Sequence, residues 1–424
     1  MSHMRVDEVR GLLPDLEELR PLLDRVIATS APDPERRWST AGELETVGSR
    51  VVRLDEVEEG IPAAVERVRA ELMALYAAVT AALRALERGD RREAADAFLR
   101  AGEAEERVWR MERAEAWALA AYKAVEGERD RRPGALALRR AARAARGRGR
   151  LPDAAARYEE AYGVALASGD VEGAVTAAIG RGNVDVDRGL WSRAGGWYRR
   201  ALELLGEEPS GPTPDRWHAY QNLSIVARRA GDLEESRAWL VRAEEVARTL
   251  GDEAALVEVE NGWGMWALVS DDAREAERRF RRALAAATDP KSLVTVSVNL
   301  GHALLAQGRT VEAGEAGRDA EVEALRAGVV VKLPEVYRLL GEVAAVRGHA
   351  DAFVFHERAL EIIEAWALPA WERAETLEAY ARLAERDGDE ELARARRREA
   401  DALRRELSTE EDHGAPPPHE ERAP

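Results

Sequence analysis

Four asparagines, Asn183, Asn222, Asn261 and Asn299, recur at a nearly constant step of about 39 residues. A carboxamide donates through its N–H groups and accepts through its oxygen, so a regular row of them suits hydrogen bonding in both directions. Asn competes for backbone hydrogen bonds and is a poor residue for a helix interior, yet all four fall inside helical patterns. Two readings follow. The row contacts a ligand, or each Asn satisfies a group at a helix crossing and fixes register, a regularity that repeat duplication would carry along.

Residues for covalent or metal chemistry are scarce. The chain has no cysteine, which excludes disulfides, thiolate metal sites and Cys nucleophiles. It holds no Gly-rich phosphate loop ending in Lys-Ser/Thr, no His-Glu-x-x-His and no nucleophile elbow. Of the seven histidines, His349 and His356 could share a helix face two turns apart, but no carboxylate completes a metal set. The 80 acidic residues make chance carboxylate pairs inevitable, so pairs carry no information. The expectation is a protein that is not an enzyme and carries no cofactor or metal.

The element that positions the asparagines is a repeat. Loop residues recur at Gly89-Asp90, Gly149-Arg150, Gly189-Leu190, Gly231-Asp232, Asp271-Asp272, Gly308-Arg309, Gly348-His349 and Gly388-Asp389. From Gly149 onward these loops return about every 40 residues, a period that implies stacked supersecondary units. Seven residues before each loop stands a small residue: Ala82, Ala142, Gly182, Ser224, Gly264, Gly301, Gly341 and Ala381. Five residues after the loop come Ala94, Ala154, Ala194, Ser236, Ala276 and Ala313; nine after, Phe98, Tyr158, Tyr198, Leu240 and Phe280; twelve after, Ala101, Ala161, Ala201, Ala243, Ala283 and Ala320. These offsets share one helix face, so each unit reads as helix, tight turn, helix, with small residues where the two helices cross.

Stretches such as Gly89-Asp-Arg-Arg-Glu-Ala-Ala-Asp-Ala-Phe98-Leu-Arg-Ala101, and Leu300-Gly301 before Gly308, resemble the tetratricopeptide repeat family over roughly residues 65 to 406. The period exceeds the family's usual length of about 34 residues and is similar to the longer-helix variety of kinesin light chain. Gly317, Glu357 and Arg397 replace the large apolar residue, and the interval from Gly89 to Gly149, longer than the others, leaves room for an extra helix near Glu106 to Glu126. The resemblance implies an all-α, right-handed superhelical solenoid of about eight repeats over residues 61–406, with the first helix of each unit lining a concave groove. On that scheme Asn183, Asn222, Asn261 and Asn299 face the groove, together with Asp187, His218, Gln221, Arg228, Arg229, His302 and Arg338. In peptide-binding members such asparagines hold the main chain of an extended peptide. The carboxylate clamp of co-chaperones matches less well, because groove lysines are absent.

Composition fits: 46% hydrophobic and 34% charged residues describe a helix-rich chain with ample core material. No apolar stretch reaches membrane-spanning length, and the start lacks a basic segment followed by an apolar core, so the expected location is cytoplasmic, with no membrane partner. The net charge of −17 argues against nucleic acid. Two arginine clusters, 139–150 and 278–282, read as solvated helix faces paired with Glu. An Arg-over-Lys and Ala bias suggests a GC-rich bacterial genome. Residues 1–60, with Trp38, read as an N-terminal cap or docking element, and residues 407–424 as a disordered tail. The expected function is a peptide-binding adaptor or regulator gripping a partner segment between roughly residues 180 and 340. The alternatives are a self-associating scaffold and a sensor of a small peptide.

Overall fold

The computed structural model describes residues 73–412, apart from 108–109, 207–212, 350 and 367. The expected element over residues 1–60 lies outside the described residues. Among the described residues every regular element is helical. Helix α1 covers residues 73–87. It is followed by α2 (Arg91–Arg107), α3 (Met111–Val125), α4 (Arg132–Gly147), α5 (Leu151–Ala167), α6 (Val171–Asp187), α7 (Trp191–Leu205), α8 (Pro214–Arg229) and α9 (Leu233–Leu250). Then come α10 (Glu253–Val269), α11 (Ala273–Ala286), α12 (Pro290–Ala306), α13 (Thr310–Arg326), α14 (Leu333–Val346), α15 (Ala352–Ala365), α16 (Ala370–Asp387) and α17 (Glu390–Asp412). The last helix runs past residue 406, to Asp412; residues 413–424 lie outside the described residues.

Each Gly-Asp loop has a local cause. Gly89, Gly231 and Gly388 sit at φ of +77°, +83° and +86°, the left-handed region that ends a helix without a Cβ penalty. The following Asp caps the next helix: Asp90 accepts from the Glu93 N–H at 3.0 Å, Asp232 from Glu235 at 2.8 Å and Asp389 from Leu392 at 3.0 Å. A cap of this kind is worth about 1 kcal/mol. Asp271 takes the glycine's place at φ 62°, and Asp272 still caps α11 through the Glu275 N–H at 2.9 Å.

The chain divides into two compact units, Met1–Arg181 and Gly182–Pro424. In the first, the extra helix is α3, which packs on both α2 and α4. Its Trp117 is buried and stacks on Phe98 with centroids 5.8 Å apart. Several of the 139–150 arginines find acidic partners on neighbouring helices, and Arg150 also pairs with Asp153 at the start of α5. Arg140 reaches Glu103 at 2.6 Å, Arg148 reaches Glu115 at 2.8 Å, and Arg150 and Arg157 close on the same carboxylate at 3.1 and 2.6 Å. The 278–282 cluster pairs mostly along its own helix, Arg279 with Glu275 at 2.7 Å and Arg281 with Glu277 at 2.9 Å.

The second unit shows why small residues recur before each turn. A Cβ on Gly264 would stand 2.6 Å from Phe280 Cδ1, and one on Gly182 would stand 2.6 Å from Tyr198 Cε1. Those rings are the large residues nine positions after the loop, and both are fully buried. Where that residue is missing, the space is filled differently. Leu339 of α14 packs onto Gly301, and Leu340 occupies the room left by Gly317. His356, one position before Glu357, fills the pocket over Gly341 and bonds the Ala352 carbonyl at 2.9 Å. Burial holds the His356 pKa below its usual value. His349 lies in the turn before α15, so the two histidines do not share a helix face.

Candidate binding groove

The first helices of successive pairs, α8, α10, α12, α14 and α16, touch one another in order, and the end of α6 precedes them. Polar rungs cross between these helices. Asn222 Nδ2 donates to Asn183 Oδ1 at 3.1 Å, and Asn299 Nδ2 donates to Asn261 Oδ1 at 2.8 Å. Tyr198 donates its hydroxyl to the same Asn183 oxygen at 2.7 Å. The four asparagines thus form two pairs rather than one continuous ladder. All four are half-buried. Each pair keeps capacity: among the described residues, beyond the Asn183 oxygen, only one N–H of Asn222, one N–H of Asn299 and one lone pair of Asn261 are engaged.

The other expected groove residues fare differently. Gln221 is buried and spends its amide on the Glu258 carbonyl at 3.0 Å, so it belongs to the α8–α10 packing and not to an open face. His302 faces Glu342 at 3.4 Å, and Arg338 donates to Thr376 at 3.0 Å. Arg229 is held in an ion pair with Glu375, with its guanidinium 5.0 and 5.2 Å from the ring centroids of Trp191 and Trp371. Arg228 is the exception: it makes no hydrogen bond or ion pair among the described residues. Burial, with the neighbouring Arg229 charge, pulls its pKa down to about 10, against the opposing pull of Glu375. Asp187 and His218 lie on α6 and α8, and burial lowers the His218 pKa against Asp215 and Asp252.

Around Arg338 the face becomes a charged cluster. Lys332 Nζ donates to Glu335 at 2.6 Å, and Arg338 lies 3.8 Å from Glu375. Glu372 is buried, with Oε2 lacking a hydrogen-bond partner. Burial and the Glu335 charge push its pKa up to about 7, against Lys332 and Arg338. Sequence reasoning missed Glu342, Glu372, Glu375, Thr376, Trp191 and Trp371. For two of them the signal was the period itself: Glu342 follows His302, and Thr376 follows Arg338, by one repeat, the step that also pairs the asparagines.

Among the described residues no cluster of three or more His, Asp or Glu side chains could hold a metal ion, and no helix is long and apolar enough to cross a membrane. No protein-family model matches the sequence, and no curated protein matches it. Solved structures do match by shape. A Rap protein complexed with competence and sporulation factor is 16% identical with a TM-score of 0.56, over 81% of this chain and 99% of that one. The Rap conjugation gene regulator of plasmid pLS20, in complex with the Phr* peptide, is 11% identical with a TM-score of 0.56, over 79% and 96%. A tetratricopeptide repeat protein from Parabacteroides merdae is 13% identical with a TM-score of 0.43, over 74% and 99%. With helix pairs at a regular period and small-to-large packing across the turns at Gly182 and Gly264, the described residues form a tetratricopeptide-like helical-repeat solenoid.

Proposed function

We propose that the chain is a non-enzymatic peptide-binding regulator, holding an extended segment of a peptide or protein partner along the face formed by α6, α8, α10 and α12. The observation that carries this reading is the pair of asparagine rungs: half-buried carboxamides, regularly spaced, with hydrogen-bonding capacity left over. Carboxamides at that spacing suit a peptide main chain, whose N–H and C=O groups alternate. The unpaired Arg228 adds a cation to the same face. Support at the level of fold comes from the two Rap structures, one in complex with competence and sporulation factor and the other with the Phr* peptide.

The test is affinity purification from the native host followed by mass spectrometry, repeated with the Asn222→Ala/Asn299→Ala double variant. Each lost hydrogen bond is worth about 0.5–1.5 kcal/mol, so the double variant is expected to retain a partner roughly tenfold less well. Recovery of the same partner at the same level, with a lowered melting temperature, would make the rungs register devices only. A second reading, self-association as a scaffold, is favoured by the exposed Val311, Val322 and Leu325 on α13. Sedimentation velocity on the full chain, and on Val322→Glu, separates it from the first.

A further inference from the structure

A solenoid is held by contacts between neighbours in the stack. The asparagine rungs and the His302–Glu342 and Arg338–Thr376 contacts obey that rule, each joining helices that are next but one in the stack. One cluster breaks it. Arg229, at the end of α8, pairs with Glu375 of α16, 146 residues away. Its guanidinium also lies over two indoles, Trp191 at the start of α7 and Trp371 at the start of α16. The indoles meet edge to face with centroids 5.7 Å apart. At Gly189 a Cβ would stand 3.0 Å from Trp371 Cβ, so the turn between α6 and α7 is pressed against α16. The same Glu375 is 3.8 Å from Arg338, which also holds Thr376. An early turn of the unit and its last helix pair therefore meet, with α8, α10 and α12, the helices of Asn222, Asn261 and Asn299, between them in the chain.

We propose that Trp191, Arg229, Trp371 and Glu375 form a clasp that closes the second unit on itself, and that access to the face between its ends requires this clasp to open. Ring faces attract a cation, and the carboxylate fixes where the cation sits, so the cluster is self-sufficient and needs no ligand. It is also small, so the closure depends on four side chains rather than on a broad apolar interface. Arg229 is then a closing device and not a ligand contact, whereas Arg228 beside it stays available to the enclosed face.

The cysteine-free chain makes the test direct. Spin labels at Arg199→Cys on α7 and Arg386→Cys on α16 lie about 12 Å and about 22 Å along their helices from the two indoles. Electron–electron distance measurements on the full chain should give one narrow distribution. Arg229→Gln/Trp371→Ala should broaden it and shift it to longer distance, and Glu375→Gln should do so in part. Arg242→Gln, which disturbs a cation over the Tyr220–Trp239 stack elsewhere, should leave it unchanged. A broad distribution in the parent chain, or an identical one in the clasp variants, overturns the closure. Access is read separately with Ile225→Cys, on the helix stripe between Asn222 and Arg229. A bulky polyethylene-glycol maleimide should react several-fold faster, relative to N-ethylmaleimide, when Arg229 and Trp371 are replaced. An unchanged ratio overturns the gating. Neither readout needs a peptide partner, so failure of the peptide reading leaves both tests standing.

Discussion

Gly264 is a position where a single methyl group should be costly for its size. A Cβ there would lie 2.6 and 2.8 Å from two atoms of the Phe280 ring, and that ring is fully buried, so it has no solvent to swing into. Gly→Ala in a helix interior by itself gains about 1 kcal/mol from backbone entropy. Overpacking of a filled site costs about 1–3 kcal/mol, and a rigid ring with three atoms against the new methyl belongs at the upper end. The expected net effect of Gly264→Ala is a loss of about 1–2 kcal/mol, the crowding exceeding the propensity gain. Gly163, inside α5, is the contrasting case, because nothing stands within 4 Å of a Cβ there. Gly163→Ala should stabilise by about 0.5–1 kcal/mol. Hydrogen–deuterium exchange resolved by peptide is the suitable assay, since solenoids open locally. Amides of α10 and α11 should exchange roughly tenfold faster in Gly264→Ala, and those of α5 more slowly in Gly163→Ala. Adding Phe280→Leu to Gly264→Ala should recover part of the protection. Unchanged or increased protection in Gly264→Ala would refute the assignment of these glycines to crowded helix crossings.

Breaking the 2.8 Å rung with Asn299→Ala or Asn261→Ala should cost about 0.5–1.5 kcal/mol locally, and the double variant little more, because both remove the same bond; additive losses in a double-mutant cycle would show that the two amides act separately. Glu372 has a folded pKa of about 7 against an ordinary 4.5, so the native state binds the extra proton. Its contribution to stability is therefore present at low pH and is lost as pH rises between about 4.5 and 7; Glu372→Gln should flatten that slope in urea titrations run at several pH values, and an unchanged slope would assign it to other groups. Glu115 anchors Arg148, Arg150 and Arg157 while almost fully buried; Arg148 keeps Glu112 and Arg150 keeps Asp153, so Glu115→Gln leaves Arg157 without its carboxylate and should cost about 1–3 kcal/mol, visible as a lower urea midpoint for the first unit. A midpoint equal to the parent's would mean the arginines are paired adequately without it.

Much of the fold was legible because a repeat proclaims itself many times. A left-handed glycine, a capping Asp and a small residue seven positions earlier each reflect a local constraint, and local constraints are visible in sequence. The helix pairs, the extra helix between the first two units and the phase of the crossings follow from that. The period also carried the pairing of the asparagines, since stacking places residues one repeat apart side by side. What periodicity could not say was where a side chain spends its hydrogen bonds. Gln221 and Asn222 are neighbours in sequence on one helix, yet one is buried against the Glu258 carbonyl and the other is half-exposed in a rung. The replacement of the missing large residues by Leu339, Leu340 and His356 was equally hidden, because a hole can be filled from any neighbouring helix. The meeting of Trp191, Arg229, Trp371 and Glu375 was least legible of all. Whether helices separated by several repeats come back together depends on small rotations summed over every intervening pair, and no single residue in the sequence records that sum.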